Sequence, residues 1–166
     1  MKEEQFKVLK TMSEATSRMD INMLAKKVDL NPNQTMQQIQ ELTKEGFLQK
    51  VGGGFGITER GKAAIRVFTQ VSEETAFRFY NGIDHPTNFT AKTLEEFYEI
   101  IKQITVESIE FHLYRGDFEN WLKQALKDTE LSKETSNVKV NNLKGEDLRI
   151  RLLEAFDSKY GIEKMK

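Results

Sequence analysis

The feature that most restricts how this chain can fold is a glycine triplet, Gly52-Gly53-Gly54, set between two short apolar runs. Phe47-Leu48-Gln49-Lys50-Val51 has the apolar and β-branched character of a strand, and Phe55-Gly56-Ile57 returns as a second. A small hairpin is therefore expected here, and the segments around it have helical periodicity. Phe6, Leu9 and Met12 predict an amphipathic helix over 3–13. Asp20 stands where a helix carrying Ile21, Leu24, Ala25 and Val28 needs its cap. Between them, Ser17-Arg18-Met19 is short enough for a single small strand. Asp29-Leu30-Asn31-Pro32-Asn33 reads as a turn, with Pro32 ending the helix before it and Asn33 capping the one after. Over 34–45, Met36, Ile39 and Leu42 share one face, and Gly46 ends the helix. After the hairpin, Thr58 is placed to cap a helix that turns Ala64, Ile65, Phe68 and Val71 inward.

Three pieces of this stretch carry a family resemblance: Leu24-Ala25, Thr35-Met36 through Leu42 with Glu45-Gly46-Phe47-Leu48, and Ile57-Thr58-Glu59-Arg60-Gly61. Their order and gaps resemble those of bacterial and archaeal winged-helix regulators, so residues 1–71 resemble a winged helix-turn-helix domain. The resemblance implies double-stranded DNA as partner, with helix 34–45 in the major groove, where each base pair shows a distinct donor and acceptor pattern. Gln34, Gln37, Gln38 and Glu41 are side chains suited to base edges, and Asn33 and Thr35 to phosphates at the helix start. Lys26, Lys27, Lys44, Lys50, Arg60, Lys62 and Arg66 are candidate phosphate contacts. The glycine tip can approach a backbone closely but brings no charge, so an arginine for the minor groove is missing. One recognition helix covers few base pairs, so a homodimer is expected. The reading is a sequence-specific transcriptional regulator; the alternative is a winged-helix adaptor that binds protein instead of DNA.

Residues 72–166 read as a helical bundle for dimerisation or for sensing a small-molecule or protein effector. Phe77, Phe79 and Tyr80 form an aromatic cluster, followed by a loop over 81–88. Thr93 with Glu96 makes a capping box for a helix with Leu94, Phe97, Tyr98, Ile101 and Ile104 on one face. Thr105 is placed to cap the next helix, Asp117 a third, and a short helix begins at Leu131. Leu148, Leu152, Leu153, Phe156 and Tyr160 define a last helix, ended by Gly161. The string from Ser108 to Trp121, with its Ser, His, Arg, Asp-Phe and Trp, resembles the signature of an uncharacterised helical domain of archaeal and bacterial proteins. That resemblance implies no activity.

Ser108 and His112 are four residues apart, on one side of a helix, with Asp117 nearby. Asp117 sits where a cap is wanted and Ser108 lacks the strained turn of a hydrolase nucleophile, so no enzyme is expected. Ser108, His112, Arg115, Asp117 and Trp121 could instead form a polar pocket between helices, or simply hold the corner where two helices meet.

Composition removes several classes. There are no cysteines, so no disulfide framework, thiolate metal site or cysteine nucleophile. His85 and His112 are too far apart in sequence for a conventional zinc pair, and neither a cofactor nor a metal is expected. No apolar run approaches the roughly 18 residues of a membrane helix, and the acidic start Met1-Lys2-Glu3-Glu4-Gln5 does not make a signal peptide. The cytoplasm is the expected address. Residues 1–70 hold 11 Lys/Arg against 8 Asp/Glu, and 71–166 hold 14 against 18, so a basic front half adjoins an acidic back half.

Overall fold

The computed structural model describes residues 1–165. The chain divides into two compact units, Met1–Phe68 and Thr69–Lys164, each mainly helical with one small antiparallel hairpin.

The first unit contains α1 (Glu3–Glu14), α2 (Ile21–Val28), α3 (Pro32–Lys44), β1 (Leu48–Val51), β2 (Gly54–Ile57) and α4 (Glu59–Phe68). Apolar residues spaced by three and four give each helix one buried stripe: Val8 and Leu9, then Leu24, Ala25 and Val28, then Ile39 and Leu42. Asp20 caps α2 by accepting from the Met23 N–H at 2.9 Å. Ser17–Met19 is not a strand, because no strand pairs with it; the hairpin is two-stranded. The cap of α3 is Asn31, which accepts from the Gln34 N–H at 2.9 Å while the Gln34 side chain accepts from the Asn31 N–H. Pro32 accordingly opens α3 instead of closing α2, since the first helical position needs no N–H, and Asn33 lies inside the helix.

β1 and β2 pair in register, Leu48 with Ile57 through Val51 with Gly54. Thr58 closes the base of this hairpin. Its hydroxyl donates to the Gly46 carbonyl at 2.7 Å and accepts from the Gly61 N–H at 3.0 Å. Gly61 is there because α4 crosses the hairpin strand closely: a Cβ would stand 2.3 Å from the Phe47 carbonyl oxygen. α4 ends at Phe68, so Val71 lies beyond it and the helix does not run on into the second unit's sequence.

The second unit contains β3 (Phe77–Gly82), β4 (His85–Ala91), α5 (Leu94–Gln103), α6 (Val106–Arg115), α7 (Asp117–Gln124), α8 (Thr129–Val140) and α9 (Gly145–Tyr160). The hairpin replaces most of the loop expected over 81–88: a two-residue connection, Ile83-Asp84, with Asp84 left-handed at φ 59°, joins the strands. α8 is a full helix of 12 residues, not a short one, with Asp128 accepting from the Leu131 N–H as its cap. Asp117 is the first residue of α7; the residue before it, Gly116 at φ 80°, serves both as the end of α6 and the start of α7.

The core of this unit is aromatic. Phe97 stacks on Trp121 and Phe156 with ring centroids 5.0 and 5.6 Å apart, and Phe118 meets it edge-on at 5.0 Å. Phe77 and Phe79 come in from β3, 4.7 Å apart, both buried. The alternation Phe77, Phe79 is the period of a strand with one face covered. Among the described residues no helix is long and apolar enough to cross a membrane.

Candidate nucleic-acid interface

α3 sorts the candidate base readers by burial. Thr35, Gln38, Ile39 and Leu42 form its inner stripe. Thr35 is wholly buried and its hydroxyl donates back to the Asn31 carbonyl at 2.9 Å, so it does not serve as a phosphate contact. Gln38 is 6 % exposed and its amide donates to Glu4 of α1 at 3.3 Å, so it does not read bases either. Sequence alone places both outward, because a polar residue defaults to the solvent side. Their positions at i, i+3 and i+4 relative to Ile39 and Leu42 decide otherwise.

The outer stripe is Asn33, Gln37, Gln40 and Lys44, spaced four, three and four residues apart and all exposed. Gln40 was not among the sequence candidates; the spacing that links it to Asn33, Gln37 and Lys44 is the signal that identifies it. Gln34 is exposed but spends its side-chain oxygen on the Asn31 N–H. Glu41 is half-buried and held by Lys2 at 3.2 Å, Gln5 at 3.3 Å and Gln37 at 3.2 Å. The Lys2 ammonium, with Gln37 behind it, keeps its carboxyl below the ordinary range.

Of the basic candidates, Lys26 and Lys27 stand exposed in the last turn of α2, Lys44 in the last turn of α3, and Lys50 on β1. Lys62 is exposed and reaches Glu59 at 2.7 Å. Arg60 is half-buried, with its guanidinium over the Phe47 ring, 4.8 Å from the centroid, at the hairpin base. The glycine tip does have a cation beside it. Arg18 of the α1–α2 loop places its guanidinium so that a Cβ on Gly54 would meet Nη2 at 2.9 Å and one on Gly53 at 3.2 Å. No local sequence pattern joins position 18 to positions 53–54, which is why the tip reads as uncharged from sequence.

In the second unit, His112, Arg115 and Asp117 come together, Ser108 shares Tyr80 with His112, and Trp121 is engaged elsewhere. His112 Nε2 accepts from the Tyr80 N–H at 2.8 Å, which puts the ring proton on Nδ1, donated to Asp117 at 2.8 Å. Ser108 donates to the Tyr80 carbonyl at 2.7 Å. Arg115 Nε donates to the same Asp117 oxygen at 3.3 Å. The Trp121 N–H donates to the Thr75 carbonyl at 2.8 Å while its rings fill the core. The reason for this arrangement is Pro86. It faces Tyr80 across the hairpin and has no N–H to give the Tyr80 carbonyl, and the register shifts on both sides of Tyr80. α6 supplies what the partner strand lacks. Burial pushes the His112 pKa down, Asp117 partly restores it, and Arg115 adds to the lowering. Both ring nitrogens are in use and Ser108 bonds Tyr80, not the histidine, so Ser108 and His112 together clamp the hairpin at Tyr80 while Asp117 holds the ring.

No curated protein and no solved structure matches the chain. One family model matches residues 15–157, across both units, under the description "Family of unknown function (DUF5752)". On that match the chain belongs to this family of unknown function, DUF5752.

Proposed function

We propose that the first unit is a winged helix-turn-helix that binds double-stranded DNA, and that the protein is a sequence-specific transcriptional regulator acting as a homodimer. The observation that carries this reading is the exposed stripe Asn33, Gln37, Gln40 and Lys44 on α3, joined by the unpaired Arg18 guanidinium at the glycine tip of the hairpin. Amide side chains at helical spacing offer paired donors and acceptors to base edges. Arg18, Lys26, Lys27, Lys44 and Lys50 would supply the phosphate contacts, and Arg18 would give the tip the cation that a minor groove attracts. The second unit would carry dimerisation or effector sensing.

A second reading has an observation of its own. The α3 stripe contains one cation, and Glu41 lies beside it, a modest charge for a groove-binding helix. A helix with that surface also suits a protein partner, which makes the chain an adaptor.

Fluorescence anisotropy of the full chain on mixed-sequence duplexes across a salt series separates the two. DNA binding is expected to fall steeply with salt, and Arg18→Ala to lower the salt slope by about one unit. On a selected site, Gln40→Ala is expected to change base preference, whereas Gln38→Ala alters stability and leaves preference unchanged. A folded protein that binds no duplex at low salt overturns the DNA reading and leaves the adaptor.

A further inference from the structure

A cleft of about 610 Å³ opens in the first unit between the α1–α2 loop, the start of α2, α3 and the hairpin tip. We infer that this cleft binds a small apolar molecule bearing a carboxylate, its chain among the methionines and its head on Arg18. The cleft shares Arg18 with the DNA reading, while its Met36 and Ile39 walls lie off the outer stripe of α3, so a ligand can be tested there with no nucleic acid present.

Four of the chain's six methionines, Met12, Met19, Met23 and Met36, line the cleft, together with Ile39 and Phe55. Thioether side chains are unbranched and polarizable, so a wall of them conforms to an apolar guest without a fixed shape. The cleft volume lies within the roughly 300–1,000 Å³ of small-molecule sites. The charged lining is Arg18 and Asp20. Asp20 is committed as the α2 cap, accepting from the Met23 N–H. Arg18 has no hydrogen-bond or ion-pair partner among the described residues, so the free side-chain donor in the cleft is a guanidinium. An apolar floor under a free guanidinium matches an apolar acid: the chain leaves water, and the carboxylate finds a two-pronged donor.

The test is a titration of the full chain, methionine methyl groups labelled with carbon-13, with decanoate below its aggregation range and without nucleic acid. Saturating shifts are expected at Met12, Met19, Met23 and Met36, with Met1 and Met165 unmoved. Decanol is expected to bind about tenfold more weakly, one charge-assisted hydrogen bond's worth, and Arg18→Gln to remove that difference. Arg18 is exposed, so the variant's unchanged spectrum without ligand verifies its fold. The proposal is overturned if those four methyls do not move, if all six move alike, if acid and alcohol bind equally, or if decylammonium binds more tightly than decanoate.

Discussion

The two hairpins of this chain are of similar size and held in opposite ways. β1–β2 keeps a continuous register, buries one strand residue, Leu48, and leaves Val51 56 % exposed at its far end. It is fixed at its base, by Thr58 and the close passage of Gly61, and its tip is free of side chains. β3–β4 has two register shifts around Tyr80, yet Phe77 and Phe79 are sunk in an aromatic core and α6 grips the Tyr80 backbone from outside the sheet. A regular ladder thus goes with a loosely covered hairpin, and a broken ladder with a firmly held one. Regularity of pairing is a poor guide to stability when side-chain burial differs this much.

That contrast can be broken by substitution. Phe79→Ala removes a fully buried ring and is expected to cost about 3–5 kcal/mol in denaturant unfolding, against about 0.5 kcal/mol or less for Val51→Ala on the other hairpin. Equal effects would refute the contrast. Gly61→Ala tests the fixed base of β1–β2: the added methyl meets the Phe47 carbonyl, and a loss of about 1–3 kcal/mol is expected from thermal unfolding. His112→Ala leaves the Tyr80 N–H without its acceptor and is expected to cost about 1–3 kcal/mol, with amide exchange accelerated along β3 and unchanged along β1. The same residue gives a pH signature. Its folded pKa is depressed below 6.5, so the neutral ring's contribution is complete above about pH 6.5 and is lost as the pH falls toward the lower folded value. A midpoint that drops through this window in the parent chain and flattens in His112→Gln is the expected outcome. The smallest effect is at the free tip, where Gly52 is left-handed at φ 58° with open space around it, so Gly52→Ala is expected to cost only about 1 kcal/mol.

The same contrast explains what could be read from sequence. The first hairpin was legible because three glycines between apolar runs have few other uses. The second was not. Its turn is Ile83-Asp84, its outer strand contains Pro86, and its irregular backbone is satisfied by residues of α6 some thirty positions later. Within α3 the helix itself and its apolar stripe were plain, but the polar positions were not, because the Thr35 hydroxyl turns back to Asn31 and the Gln38 amide nitrogen reaches Glu4 inside the fold. Glutamine at an inner position looks the same in sequence as glutamine at an outer one. Arg18 is the complementary case, a loop residue whose neighbours Gly53 and Gly54 lie 35 and 36 positions away. The convergence of His112, Arg115 and Asp117 could be read from their spacing around one corner, while Ser108 and Trp121 were drawn away by backbone carbonyls of Tyr80 and Thr75.

The burial of α1 bears on how the protein can be cut. The family match starts at Ala15, one residue after α1 ends, yet Val8 and Leu9 of that helix are wholly buried in the first unit. At the other end the match stops at Asp157, before Lys159 and Tyr160 reach Asp128 at the cap of α8, and before the buried Ile162. Asp128 holds a carboxylate pushed up by burial and brought below its ordinary pKa by the Leu131 N–H, Lys159 and Tyr160. A fragment trimmed to the matched span would therefore uncover apolar surface in one unit and strand a buried anion in the other. It would be a sticky, short-lived species in a cell, and the independently folding piece of this chain is longer at both ends than the stretch by which its kinship is recognised.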